Sequence, residues 1–408
     1  MAVIERDVVI VGGGPAGLAA AMYAARAKLS TVVVEKGNPG GQCRTTYSME
    51  NYPGFARGMT GPELMDRFAE HATEFGAEIV RDAVANVDFS GDRHVLHTAK
   101  GDEYRASAVI VAVGAEPRTL NLPGEHELRG KGVSYCATCD ADFFEELDIV
   151  VIGNGDAAVE EAMYLTKFVN SATMIVVHDE GVLDATAIIR DRAFKNPKLK
   201  WVWNSVVEEI AGDGIVESVT VRNIRTNERT ALATNGVFLF VGTIPKTDFL
   251  KGSGLTMDAR GYVPTTELLE TNVPGVFCAG DARVKYLRQV VTAAADGAVA
   301  AVAAEKYIHE EETFRESVLE PELPVMVAFW SPTSQASLDF LPAVERIARE
   351  RKGQLEFVKI DIYKNQRVAK RYGIEQAPTI AFFRGGELVE KAPWPTTEQD
   401  LELQANRI

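Results

Sequence analysis

The sequence predicts an α/β protein made of parallel β-sheets flanked by helices: two units on one plan, then a smaller module. Three observations predict it. At the N-terminus an apolar strand (Asp7–Val11), a glycine-rich turn (Gly12–Gly17) and an alanine-rich helical stretch to Lys28 follow one another. The same order returns about 140 residues later, where Asp148–Ile152 leads into Gly153–Ala158 and a helical stretch to Phe168. After a charged run from Glu310 to Glu322, a short module again alternates strand and helix patterns. A length of 408 residues fits two to four domains.

Each element has a local reason. In the first unit Thr31–Glu35 is a second strand, completing a strand–helix–strand unit, and Val109–Gly114 closes it. In the second unit Thr173–Val177 plays the part of Thr31–Glu35, and Val237–Gly242 closes it. The 34 glycines and 17 prolines are dispersed, so no long disordered tract is implied.

Composition excludes several classes. Apolar residues make up 46% and charged residues 25%, ordinary for a globular protein. The chain opens almost at once into an apolar strand, with no basic start or small-residue cleavage site, so no signal peptide is expected. No run of about 18 apolar residues occurs, so no membrane partner is expected, and a cytoplasmic location is. The net charge is −15, and residues 322–408 hold 12 acidic and 12 basic residues, so the excess lies on residues 1–321. An acidic body repels phosphate backbones, which argues against nucleic acid.

Gly12, Gly14 and Gly17 fit the dinucleotide turn G-x-G-x-x-G between strand and helix. The first glycine permits the turn, the second lets a pyrophosphate approach the backbone, and the third lets helix and strand pack closely. The helix N-terminus meets the phosphate charge. Glu35, at the end of the next strand, is placed to accept from ribose hydroxyls.

Of the four cysteines, Cys136 and Cys139 form the one close pair, in Cys136-Ala137-Thr138-Cys139-Asp140. This spacing suits a small redox disulfide ring, and a helix start there favours the thiolate. Asp140 adds a proton carrier. The bland alternative is half a zinc site, but no second C-x-x-C exists and only six histidines are present, so no metal is expected.

With these motifs in view, the sequence resembles the low-molecular-weight, bacterial-type thioredoxin reductases over roughly residues 5–310. Gly12–Gly17, Gly40-Gly41-Gln42, Glu50–Phe55, Cys136–Asp140, Gly275–Asp281 and Arg288-Gln289 carry the resemblance. It implies a homodimeric FAD flavoprotein of two Rossmann-like domains. Residues 1–117 and 247–310 would form the FAD domain, interrupted at 118–246 by a smaller NAD(P)-type domain with the redox disulfide. A linker at 311–321 would precede a thioredoxin-like domain at 322–408. The resemblance also implies roles. Gly12, Gly14, Pro15, Ala16, Gly17 and Glu35 would hold the adenosine and pyrophosphate of FAD. Gly41, Gln42, Thr46 and Asn51 would lie near the ribityl chain and flavin, and Gly280, Asp281, Arg288, Gln289 and Val290 would close the site. Cys139 would face the flavin, Cys136 would attack the disulfide of thioredoxin or a thioredoxin-like protein, and Asp140 would move protons. Cys43 and Cys278 have no counterpart role and are expected to be packed small residues.

The electron donor departs from this pattern. Gly153, Gly155, Asp156 and Ala158 resemble the nicotinamide-nucleotide turn. The family supplies arginines for the 2′-phosphate of NADPH, but those positions here are Asp179, Glu180 and Asp184. Carboxylates repel a phosphate, so NADPH is not expected. NADH, bound through a ribose hydroxyl, and a ferredoxin-type protein donor beside a vestigial site remain open.

Residues 322–408 resemble thioredoxin in Pro324–Trp330, Ala377-Pro378-Thr379 and Phe382–Gly386. The redox motif is replaced by Thr333-Ser334-Gln335-Ala336-Ser337, and Ala328 stands where a buried acid is expected. This module does no dithiol chemistry. It is either a docking or dimerisation part or a module whose serines replace cysteines. The reading is therefore a flavin-dependent disulfide oxidoreductase. The alternatives are a flavin-bound redox sensor without turnover and a reductase serving a peroxidase system.

Overall fold

The computed structural model describes residues 2–45, 49, 51–55, 59–393, 399, 400 and 402. The chain divides into two units, Met1–Val302 and Ala303–Ile408.

The first unit contains two parallel sheets. In one, Glu78–Arg81, Thr31–Glu35, Val3–Val11 and Glu103–Val111 lie side by side in that order, all parallel, and Val276–Cys278 extends the sheet beyond Val109–Val111. His94–Thr98 and Val84–Asp88 add antiparallel strands at the other end of Glu103–Val111. Val8–Val11 and Val109–Val111 are buried on both faces, the run expected of central parallel strands. Helix Pro15–Arg26 covers this sheet with a continuous stripe of buried alanines.

The second sheet follows the order Leu199–Val202, Ser171–Ile175, Asp148–Ile152, Gly236–Leu239 and Val133–Ser134, all parallel. Helix Asp156–Leu165 packs against it through Val159, Ala162 and Leu165. An antiparallel meander, Ser205–Ala211, Ser218–Asn223 and Arg229–Ala233, closes its other face. The chain passes between the two sheets twice, and the passing segments Ala115–Pro117 and Thr243–Pro245 pair with each other. Apolar periodicity alone did not distinguish the meander, because its strands are short and half exposed.

In the second unit, strand Val325–Trp330 pairs in parallel with Glu356–Asp361 and antiparallel with Thr379–Arg384, which pairs with Glu387–Pro393. Its residues alternate between two cores. Val325, Val327 and Phe329 face one with Phe314 and Phe383, while Met326 and Ala328 face the other with Ile347 and Phe382. The Ala377–Pro378 peptide is cis. Ser334 caps helix Gln335–Glu350 by accepting from Ser337 N at 3.3 Å, and the Ser337 hydroxyl is fully buried, accepting from Ser331 N. The charged stretch read as a linker is helical: helix Val290–Phe314 runs into a π-helical turn, Arg315–Leu319, and Phe314 and Val318 are buried.

Candidate active site

The glycine turn after Val11 is shaped by close approach. A Cβ on Gly17 would lie 1.9 Å from the carbonyl oxygen of Gly12, so only glycine lets the helix sit on its strand. Above Gly14, by contrast, an added Cβ would meet nothing within 4 Å, so the backbone is open to a phosphate group. Glu35 braces the turn, accepting from Gly13 N at 2.6 Å and Gly37 N at 2.8 Å.

This turn borders an open cleft of about 2680 Å³. Gly12, Gly14, Pro15, Ala16, Glu35, Gly41, Gln42, Asn51, Gly280, Asp281, Arg288, Gln289 and Val290 all line it, together with Cys136, Cys139 and Asp140. Gly17 is packed behind the turn and Thr46 lies outside the described residues. Gln42 donates to the Ala115 carbonyl. The Arg288 guanidinium lies 4.5 Å from the Tyr262 ring centre. Among the described residues Asp281 Oδ1 is buried without a hydrogen-bond partner, and burial raises this carboxyl above its ordinary pKa against the pull of Lys285 and Arg288. A buried acceptor facing a cleft is a fit for a hydroxyl-bearing ligand.

Cys136 and Cys139 form a disulfide in the same cleft. Two residues 238 positions apart hold its loop: Asn51 Nδ2 donates to Gln289 Oε1 at 3.0 Å, and Gln289 Nε2 donates to Thr138 Oγ1 at 2.9 Å. Asp140 follows the pair, and burial raises its carboxyl pKa, Asp142 adding to the effect and a hydrogen bond from Ser134 opposing it. Cys43 and Cys278 are buried free thiols, pushed up to about 11 and about 12 by burial, which makes them inert. Among the described residues no group of three or more His, Cys, Asp or Glu is placed to hold a metal.

The model of the pyridine nucleotide-disulphide oxidoreductases matches residues 6–297, and that of thioredoxin matches 305–406. The chain belongs to the pyridine nucleotide-disulphide oxidoreductases. Within them it is of the thioredoxin-reductase type, with a C-terminal thioredoxin-like domain. A thioredoxin reductase of Peptoclostridium acidaminophilum is 54% identical over 76% of this chain and 98% of that relative. A bifunctional thioredoxin reductase/thioredoxin of Mycobacterium leprae is 38% identical over 94% of this chain and 93% of its own length. The solved thioredoxin reductase of Streptococcus pyogenes superposes with a TM-score of 0.71 at 42% identity, over 75% of this chain and 98% of that one. This oxidoreductase binds FAD, and the open backbone at Gly14 and the unpartnered Asp281 Oδ1 fit that cofactor. Among the described residues no helix is long and apolar enough to cross a membrane.

The second glycine turn is different in character. Gly155 caps helix Asp156–Leu165, and Ala158 is buried beneath it. Asp156 Oδ1 accepts from Thr186 N at 2.6 Å, and Gly155 bridges Asp184. Asp184 Oδ1 is 3.1 Å from His178 Nε2, Asp179 is paired with Arg225, and Glu180 is exposed. Two acids, Asp156 and Asp184, thus lie at this turn, and Arg225 already has an acid partner in Asp179.

Sequence reasoning missed Ser134, Glu125 and Tyr135. Glu125 is fully buried and accepts from Leu122 N at 3.0 Å and from the Tyr135 hydroxyl at 2.6 Å. Burial and Glu125 raise the Tyr135 phenol well above its usual range. The only available signal was a polar residue on either side of an apolar strand end, which is too common to mean anything alone.

Proposed function

We propose that this enzyme carries electrons through Cys136–Cys139 to the disulfide of a separate thioredoxin or thioredoxin-like protein, and that its donor is not NADPH. FAD, when bound, supplies an electron pair at its ring. The glycine turn and Glu35 would hold its adenosine and pyrophosphate, Gln42, Asn51, Asp281 and Arg288 would hold its middle, and Gln289 and Val290 would border the reacting end. Two electrons, with two protons from water, break the Cys136–Cys139 bond to give a dithiol. Asp140 takes a proton from the pair, and the Cys136 thiolate attacks the acceptor disulfide. One acceptor sulfur leaves and takes that proton. Cys139 then attacks the mixed disulfide, its proton passing to the second acceptor sulfur, which leaves as a thiol as the Cys136–Cys139 bond is restored. The observation that carries this reading is the disulfide loop held by Asn51 and Gln289 in the cleft that contains the glycine turn. The acceptor is a separate molecule because residues 322–408 contain no cysteine.

The donor reading rests on Asp156 and Asp184 at the Gly155 turn and on Asp179 and Glu180 at positions where the resemblance implies arginines. One phosphate–carboxylate contact at about 4 Å costs about 4 kcal/mol at an effective dielectric of about 20, where an arginine would gain as much. The divided reading of residues 1–117 and 247–310 around 118–246 follows the two chain passages at Ala115–Pro117 and Thr243–Pro245. A homodimer and a cytoplasmic location complete the proposal. The deciding experiment is anaerobic mixing of the holoenzyme with NADPH, NADH or a reduced ferredoxin. Bleaching by NADH or ferredoxin at a turnover-competent rate, with NADPH far slower, supports the reading. Rapid bleaching by micromolar NADPH overturns the donor claim.

A further inference from the structure

The strand end that carries the disulfide is held on both sides. Tyr135 turns toward Glu125, which also accepts from the backbone at Leu120 and Leu122, just past the first chain passage. Ser134 turns the other way. It is nearly completely buried, and three groups lie within hydrogen-bond distance of its hydroxyl, of which the Cys136 carbonyl oxygen, at 3.4 Å, is the most distant. Cys136 N donates to Ser134 Oγ at 3.1 Å, and Ser134 Oγ donates its single proton to Asp140 Oδ2 at 2.6 Å. A backbone N–H only donates and a carboxylate only accepts, so the hydroxyl has no other arrangement that satisfies both. The distance to Asp140 is that of a charge-assisted hydrogen bond.

We propose that Ser134 is a positioning residue: its hydroxyl ties the Asp140 carboxylate to the backbone of Cys136 and so sets the pH range over which the dithiol reduces an acceptor. The inference rests on the proton-carrying role of Asp140 given above. Without the hydroxyl, Asp140 loses the hydrogen bond from Ser134 while burial and the neighbouring Asp142 still act on it. Of the charged side chains, Asp142 bears on Asp140, and helix Asp156–Leu165, which packs against Ala137–Asp140, brings the half-buried Glu161 to the same cleft; the groups facing the disulfide loop across the cleft, Asn51 and Gln289, are uncharged. Loss of the Ser134 bond therefore makes Asp140 harder to ionise, because a hydrogen bond to the charged form favours that form. Among the described residues the Ser134 hydroxyl meets Asp140 and the Cys136 backbone and no sulfur, so its effect on the rate passes through Asp140.

The test uses the holoenzyme, fully reduced with dithionite under argon and mixed with bis(hydroxyethyl) disulfide, an alkyl disulfide whose leaving thiolate needs a proton. Return of flavin absorbance is followed from pH 5 to pH 9 (about the range in which a raised carboxyl titrates) in wild type, S134A, S134T, D140N and S134A/D140N. The expected result is a pH limb in wild type that D140N abolishes, that S134A moves to higher pH, and that S134T, which keeps the hydroxyl, restores. On the D140N background S134A changes the rate by less than about twofold, as a residue acting through Asp140 must. If S134A superimposes on wild type while D140N loses the limb, the role of Ser134 is overturned and that of Asp140 stands. If S134A slows D140N as much as it slows wild type, Ser134 acts independently and the inference fails. If D140N keeps the wild-type profile, the reading of Asp140 fails first. Should S134A not bind flavin, S134T decides alone: a shifted limb with the hydroxyl present contradicts the inference.

Discussion

Replacing Gly14 or Gly17 by alanine adds the same methyl group three residues apart, with opposite expected consequences. At Gly17 the new Cβ sits 1.9 Å from the Gly12 carbonyl oxygen and 3.0 Å from its carbon. Ordinary contact needs more than 3 Å, so helix Pro15–Arg26 must move off the strand by over 1 Å. Overpacking against backbone costs about 1–3 kcal/mol or more, and no flexible side chain is there to yield. At Gly14 the Cβ meets nothing within 4 Å, and the backbone (φ −74°, ψ −175°) suits alanine. Lower unfolded-state entropy gains about 0.4–1 kcal/mol, and the poorer helix cap gives up a similar amount, so the apo stability stays within about 1 kcal/mol of wild type. The methyl instead occupies the space open to the pyrophosphate. A ligand held at about 100 times its dissociation constant adds about 2.7 kcal/mol, and that increment disappears. Flavin content per chain, with urea melts of apo and reconstituted protein, reads both effects. Gly17→Ala should lower the apo melt, and Gly14→Ala should leave it in place while abolishing the FAD-dependent rise. An apo Gly14→Ala protein destabilised as much as Gly17→Ala, or a Gly17→Ala protein with wild-type apo stability, refutes the reasoning.

Further outcomes are open to measurement. Cys136→Ser and Cys139→Ser each abolish reduction of a protein disulfide while flavin content stays at wild-type level; full activity in either single variant refutes the pair's role. Glu125→Ala leaves two backbone N–H groups and the Tyr135 hydroxyl without their acceptor, at about 1–3 kcal/mol each if they stay buried, so the melting temperature falls by several degrees; an unchanged melt contradicts the buried network. His94 is buried, and burial lowers its pKa below that of the unfolded chain. Its contribution is therefore complete above about pH 6.5 and is lost as pH falls through that value, because the unfolded chain then binds the extra proton. Urea melts from pH 7.5 down to pH 5 should show this loss reduced in His94→Phe. Converting Asp179 and Glu180 together to arginine should raise the rate of flavin bleaching by NADPH relative to NADH, and no change in that ratio contradicts the electrostatic reading.

Local features were the legible ones. The strand–Gly-x-Gly–helix order at Val8–Gly17 is dictated by residues adjacent in sequence, and so is the close pair at Cys136 and Cys139. The acid substitutions at Asp179, Glu180 and Asp184 could be read position by position. What could not be read is what distant segments do to one another. Asn51 and Gln289 carry no periodic signal, yet they meet over Thr138. Arg225 comes from the meander turn to pair with Asp179, a contact no spacing rule reports. The stretch near Glu310 looked like a linker because it is charged, but Phe314 and Val318 give it a buried face that its charge density hid. Ser334 and Ser337 read as lost chemistry, and the structure adds that they cap and anchor their helix.

The most direct test of the electron path is an anaerobic dithionite titration of the holoenzyme, counting electron pairs taken up per flavin in wild type and in Cys136→Ser/Cys139→Ser. The account predicts two pairs in wild type, one for the flavin and one for the disulfide, and a single pair in the variant. Added oxidised thioredoxin should then recolour only the wild-type protein. A wild-type protein that takes up one pair, or a cysteine-free variant that reduces thioredoxin as fast as wild type, contradicts it.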